Sequence, residues 1–297
     1  MLEEQELKSY LEAARIASSV RATAEELAVE GAKLLDVAKG IEDEITKAGG
    51  GIAFPVNTSI NEEAAHYTPK ISDERVLKKD DVVKVDFGVH VEGCVIDQAF
   101  SVNPSNEHAK LVEASEAALR DALAVMKAGV CVKDIGAAIE SAIVSRGFKP
   151  IENLCGHSLE PYVIHAGESI PNVPKGDYVL QEGDVFAVEP FATTGAGKVE
   201  DGSFCEIYSL ANPRNVRLPQ SRKVLEFIME ERQTLPFAKR HLLKCLSGEG
   251  AIDLALADLS RQEIIHSYPV LKEVNGGIVS QAETTVIVEK DSVKVLA

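Results

Sequence analysis

Apolar residues recur with helical spacing from about residue 4 to 29 and from 34 to 48, where Gly49-Gly50-Gly51 ends the pattern. A second helical pair is expected over about 107–128 and 132–146, ended by Gly147. Between the pairs the period shortens to two. In VKVDFGVHVEGCVIDQAF, residues 83–100, Val85, Phe87, Val89 and Val91 alternate, and Val95, Ile96, Ala99 and Phe100 follow a Glu92-Gly93 turn signal. That predicts a half-buried β-hairpin carrying two aspartates, Asp86 and Asp97. With His90–Gly93 as the loop, the two face each other with Cβ atoms roughly 5 Å apart. Like charges at that distance repel unless one is protonated or a cation lies between them. The plainer alternative is a pair of exposed strand aspartates, and a register shifted by one residue would separate them.

The helical pairs resemble each other. Gly31, Asp36, Val37, Ile41, Glu42, Ile45 and Gly49 recur with identical spacing as Gly129, Asp134, Ile135, Ile139, Glu140, Ile143 and Gly147. Further along, VLKKDDVVKVD (76–86) matches VLQEGDVFAVE (179–189), so that Asp86 aligns with Glu189. Two helices followed by a strand bearing an acid thus occur twice. Duplicated halves pack about a pseudo-twofold axis with a site at their interface, which brings Asp86 and Glu189 toward one another.

From about 206 to 268 the texture turns helical, in SRKVLEFIMEERQ, FAKRHLLKCL and AIDLALADLSRQEII. This stretch has nine basic and eight acidic residues, a balance of +1, so the rest of the chain carries −17 against the net −16. Strands resume in GGIVSQAETTVIVEKDSVKVL, where Glu283 precedes Val286-Ile287-Val288 and Lys290-Asp291 marks a turn. The expected organisation is a discontinuous main domain, 1–205 and 269–297, interrupted by a helical insert, 206–268. The insert's plain reading is a solvated helical cap flanking the cleft.

The acidic balance argues against direct nucleic-acid or anionic-membrane binding. No apolar run reaches the 18 residues or so of a membrane span, and the first residues lack a secretory pattern. Five widely spaced cysteines, with no CxxC pair, fit reduced thiols in a cytoplasmic protein.

Asp86, Asp97, Glu189 and Glu283, with His157 in CGHSLEPY, offer four carboxylates and one imidazole. Such a set suits hard or borderline divalent cations. Bridging carboxylates would hold two ions about 3 to 4 Å apart. Taken singly, His157 is more simply read as a core or capping histidine.

HYTP (66–69), VDFGVHVEG (85–93), IDQAF (96–100), GHSLEPYVIHAG (156–167), VEPFATTG (188–195) and YPVLKEVNGGIVSQAETT (268–285) together resemble a type 2 methionine aminopeptidase, over nearly the whole chain. The resemblance implies an α+β "pita-bread" fold with an internal pseudo-twofold repeat, and equates residues 206–268 with the helical insertion of type 2 enzymes. It implies that Asp97 and Glu283 bridge two divalent ions. Asp86 would complete one metal site, and His157 with Glu189 the other. Nothing in an Asp/Glu/His set distinguishes Co, Mn, Fe, Zn or Ni. His66 matches a histidine near the scissile peptide, and His165 one that contacts the substrate carbonyl. Phe54, Ile164 and Tyr268 resemble walls of a methionine pocket, with core packing as their plain alternative.

The implied reaction is removal of the initiator methionine, when the second residue is small, by a metal-bridging hydroxide, with Glu189 shuttling protons. The implied partners are N-terminal peptides of nascent proteins, with transient ribosome association, on a monomer. Where many relatives have Glu-His-Thr, this chain has Glu283-Thr284-Thr285, so the pocket lining is expected to differ there. The charged N-terminal extension of eukaryotic type 2 enzymes has no counterpart, which makes the likeness archaeal. Two other readings compete. One is an Xaa-Pro aminopeptidase or prolidase of the same fold, which usually carries a sizeable N-terminal domain. The other is a non-catalytic ribosome- or protein-binding homologue, in which broken ligands are expected.

Overall fold

The computed structural model describes residues 2–297. Helices α1 (Glu4–Leu27) and α2 (Leu34–Lys47) lead, followed after the hairpin by α3 (Ala109–Val125) and α4 (Val132–Ser145), as the periodicity predicts. α1 starts where Glu3 donates its backbone N–H to the Glu6 carboxylate, a reciprocal cap that satisfies an end group of the helix. Its buried stripe, Tyr10, Ala13, Ala17, Val20 and Ala24, follows the i, i+3, i+4 rule. The small residues let it lie close on the hairpin.

The first half is a three-stranded antiparallel sheet of Gly51–Ile60, Val83–Val91 and Cys94–Val102, with α1 and α2 on one face. The second half packs α3 and α4 against shorter strands, including Cys155–Ser158, Val185–Val188, Phe191–Thr193 and Val279–Gln281. Each half has its own apolar core. The repeat seen in the sequence is reproduced bond for bond. Gly31 donates to the Leu77 carbonyl at 2.8 Å and Leu77 donates to Ala32 at 2.9 Å; Gly129 to Leu180 and Leu180 to Val130 give the same two distances. The isolated bridge Lys33–Val76 has its twin in Cys131–Val179. Gly49 and Gly147 end α2 and α4 with φ of 89° and 84°, a left-handed turn that side chains resist.

The hairpin corrects one expectation. Its loop has two residues, not four: Val91 pairs with Cys94, and Glu92 (φ 50°) and Gly93 (φ 83°) make the turn. Positive φ at both central residues matches the twist of the flanking strands, which favours this tight loop. Asp86 therefore pairs with Ala99, and Gly88 with Asp97. The shift is two residues, which preserves the face. The aspartates lie diagonally, still on one side of the sheet.

The insert hangs from a ribbon of two long strands, Val199–Leu210 and Ile265–Glu273. Between them stand α5 (Pro219–Phe227), a π-helical turn (Ile228–Arg232), a 3-10 helix (Lys239–Lys244) and α6 (Glu249–Arg261), around a third apolar core. Two helical expectations yield to strand pairing at their edges. Phe237–Ala238 bonds to Tyr208 and Ile207, and Ile265 begins the ribbon's second strand, because the ribbon's free backbone groups need partners. Among the described residues no helix is long and apolar enough to cross a membrane, and all five cysteines are free thiols.

Candidate metal centre

The halves are stitched together at the last strands. Ser101 donates to the Gln281 carbonyl, Ala99 and Glu283 form a bridge, and Thr285 Oγ1 donates to the Asp97 carbonyl at 2.8 Å while accepting its N–H at 2.7 Å. Every second residue of Asp97–Ser101 thus meets every second residue of Gln281–Thr285. Strand periodicity then puts Glu283 on the face that carries Asp97.

There a cavity of about 330 Å³ opens, bordered by Asp86, Asp97, His157, Glu189 and Glu283, with His66, His165 and Phe54. Asp97, His157 and Glu283 are buried, and each offers a ligand atom within 4.8 Å of the others'. His157 Nε2 lies 3.8 Å from Asp97 Oδ2 and 3.7 Å from Glu189 Oε1. Asp86 and Glu189 face the opening and are partly accessible. The structure therefore brings all five sequence-selected groups to one cavity.

The electrostatics are those of a site short of positive charge. Burial holds all four carboxyls above their ordinary range, Asp86 to about 7. Repulsion adds to this: Asp86 raises Asp97 and Glu189, and Asp97 and Glu189 raise Glu283. Among the described residues no Lys or Arg forms an ion pair with any of them. His157 does not supply the missing charge, since burial and neighbouring His165 hold it far below its usual value, as a neutral imidazole. A buried Asp97 Oδ1 has no hydrogen-bond partner. An orphaned carboxylate oxygen, a neutral imidazole and three further acids fit the donor set of divalent ions.

His66 has φ 65° and its Nδ1 donates to the Pro269 carbonyl at 3.2 Å, which turns the other ring nitrogen outward. Burial, with His165 nearby, lowers its pKa to about 4. His165 packs edge-on to His157, with centroids 4.5 Å apart. Desolvation within the cavity and His266 push it the same way, although part of its ring remains open to solvent. Tyr268 is ringed by Phe54 at 5.6 Å, His66 at 5.7 Å and His165 at 6.1 Å. Ile164 is buried in the first-half core and does not border the cavity.

Three features escaped the sequence. Gln281 Nε2 sits 3.4 Å from Asp86, 3.3 Å from Glu189 and 3.3 Å from Glu283, a single amide spanning three acids. A neutral amide gives no charge signature, although its spacing of two from Glu283 was the signal available. His266 stands at the rim, its ring 4.8 Å from that of Tyr268. Cys155 also borders the cavity, two residues before His157 on the same strand. Thr284, by contrast, corrects an expectation. Strand alternation turns it away from Glu283's side, opposite Val188, and it does not border the cavity.

The pattern of metallopeptidase family M24 matches residues 8–218. The methionine aminopeptidase of Pyrococcus horikoshii is 49% identical over 98% of this chain and 99% of its own length. Among solved structures, a thermophilic Arx1 superposes with a TM-score of 0.89 at 21% identity, over all of this chain and 91% of that one. A methionine aminopeptidase of Thermotoga maritima gives 0.72 at 19% identity, over 99% and 97%.

Proposed function

The chain belongs to metallopeptidase family M24, and on that premise we propose that it is a methionine aminopeptidase releasing the first residue of proteins whose second residue is small. The observation that carries this reading is the cavity of four carboxylates and a neutral imidazole with no cation of the protein's own. Relatives across nearly the full chain that bear this activity support it. The fold is the pita-bread fold of that family, with the helical segment at 206–268 as the insertion that marks type 2 enzymes.

We assign two divalent ions to the site. Asp97 and Glu283 would contribute to holding both, Asp86 to one, and His157 with Glu189 to the other. When bound, the ions would acidify a water molecule and anchor the free α-amino group. Glu189, at the cavity's open side, would take a proton from the attacking water and hand it to the departing amine. His165, neutral and at the mouth, donates to the carbonyl oxygen as charge develops there. His66, its Nδ1 fixed on Pro269, presents its other nitrogen to the scissile peptide. Phe54 provides an apolar, aromatic wall for an unbranched thioether, with Tyr268 edge-on against its ring outside the cavity lining and Ile164 in the same core.

The test is release of free methionine from Met-Ala-Ser and Met-Pro-type peptides. Metal-stripped protein is assayed before and after adding Mn, Fe or Co, beside an Xaa-Pro peptide lacking methionine. Metal-dependent release from the methionine peptides alone is expected. Cleavage of the Xaa-Pro peptide would transfer the assignment to a prolyl peptidase. Silence with every metal in folded protein would transfer it to a binding role.

A further inference from the structure

Among the contacts of the insert with the rest of the molecule, which include Thr234 with Tyr162 and Leu235 in the first-half core, one is a buried polar knot. Arg240, on the 3-10 helix of the insert, is 8% exposed, and Glu42 on α2 is 6% exposed. The guanidinium donates to Glu42 Oε1 through Nη2, and through Nη1 to Thr68 Oγ1 at 2.6 Å and the Pro69 carbonyl at 3.1 Å. His241 Nε2 donates to the same Glu42 oxygen at 3.1 Å, since its Nδ1 already accepts the Ala238 N–H. That oxygen also accepts the N–H of Val56 at 3.3 Å, and Thr68 Oγ1 donates to the Val56 carbonyl at 2.7 Å.

Both ends of this knot lead to the cavity. Val56 is two residues from Phe54 on one strand, inside the irregular stretch between Phe54 and Asn57, so a shift at Val56 reaches Phe54 along the backbone. Thr68 is two residues from His66, whose left-handed backbone is strained for a side-chain-bearing residue and persists only where its surroundings fix it. The fixing bonds run through Tyr67, Thr68 and Pro69. Tyr67 donates to Asp73 at 2.5 Å, Thr58 donates to the Tyr67 carbonyl at 2.8 Å, and Arg240 grips the next two residues. The repeat supplies an internal control. Glu140 stands at the position of Glu42 in the second half, is half-exposed, and has no such partner.

Resting on the methionine aminopeptidase reading, we propose that Arg240 is a positioning residue. Through Glu42, Val56 and Thr68 it sets Phe54 and His66, so that the insert governs how well the methionine side chain and its peptide bond are seated, without contact to the substrate. Its guanidinium is suited to the task because one planar fork serves a carboxylate, a hydroxyl and a carbonyl together, which an ammonium on a flexible stem does not.

Two variants test this. The double change Arg240→Met with Glu42→Gln removes both charges together, so no lone charge stays buried. Thr68→Val cuts the relay with little change in volume. In each, the ratio of kcat/KM for Met-Ala-Ser over Leu-Ala-Ser should fall by about 10-fold or more, mainly through KM, as displaced positioning groups produce. Amide exchange over residues 54–68 of the metal-free protein should quicken, and metal affinity by calorimetry should stay as in the parent. Ser221→Ala, which removes a 2.7 Å bond to Asp258 inside the insert, loosens the insert alone and should leave the ratio unchanged. Parental ratio and exchange in both relay variants would overturn the proposal. So would an equal loss of selectivity in Ser221→Ala. If the parent protein releases no methionine with any metal, the activity assignment fails by itself, and the exchange rates still decide the positioning role.

Discussion

Two buried acidic centres, one at Glu42 and one at the cavity, solve the same problem in opposite ways. Around Glu42 the chain provides a guanidinium and an imidazole, and Arg240 with His241 holds that carboxyl below its ordinary range despite burial. Around Asp86, Asp97, Glu189 and Glu283 the chain provides neither, and every carboxyl is pushed up. A buried acid is costly unless something positive accompanies it. The first cluster is complete within the polypeptide, whereas the second is complete only with ions from outside. Removing an acid from the first should therefore harm the fold, and removing one from the second should harm only binding and turnover.

The largest effect tests the complete cluster. Glu42→Ala leaves Arg240 buried without its carboxylate and should lower unfolding free energy by about 3–5 kcal/mol in urea titrations. A loss below about 1 kcal/mol would mean that water already compensates the guanidinium. Next, Glu283→Gln, Glu189→Gln and His165→Ala should each lose about 10²-fold or more in turnover while remaining folded. In the metal-free state Glu283→Gln should melt no lower than the parent, because it relieves repulsion. A lower melting temperature would erase the contrast.

Metal itself is the third probe. At a hundred times its dissociation constant a divalent ion should add about 2.7 kcal/mol to the parent's stability and none to Asp97→Ala. The smallest effect is in pH. Asp86 holds its proton more tightly folded than unfolded, so this contribution to metal-free stability is complete below about pH 3.8 and lost as the pH rises through about 7. Glu42 holds its proton less tightly, so its contribution is complete above 4.5 and fades as the pH falls below that. Melting curves should thus separate the two by window and sign: stability falls as the pH rises from about 4 to 7 for Asp86 and as the pH drops below 4.5 for Glu42, by about 1 kcal/mol per pH unit at most.

Much of this is legible in the sequence. Matched spacings at Gly31–Gly49 and Gly129–Gly147 were enough to predict a repeat that the bridges at Lys33–Val76 and Cys131–Val179 reproduce. The site acids were legible because charge in an apolar strand is conspicuous. The hairpin register was misread by two residues, because apolar alternation fixes the face and only turn geometry fixes the pairing. Gln281 was overlooked for want of charge. Glu42 was noticed as a recurring position, but its partner Arg240 lies 198 residues away in a segment of different texture. No local pattern announces a contact of that range.

The stitched edge at Asp97–Ser101 and Gln281–Thr285 carries a temporal consequence. The acid at Asp97 and the hydroxyl that grips its backbone are 188 residues apart. At about 5–20 residues per second, the stretch between them takes roughly 10–40 s to make. For most of that interval the helices and hairpin of the first half can form, while the strand edge that accepts Gln281–Thr285 stays unsealed. The site therefore cannot be assembled until residues Gln281–Thr285 have been made. A chain interrupted just before them would present an open strand edge to its neighbours, with the hazard of aggregation that such edges bring.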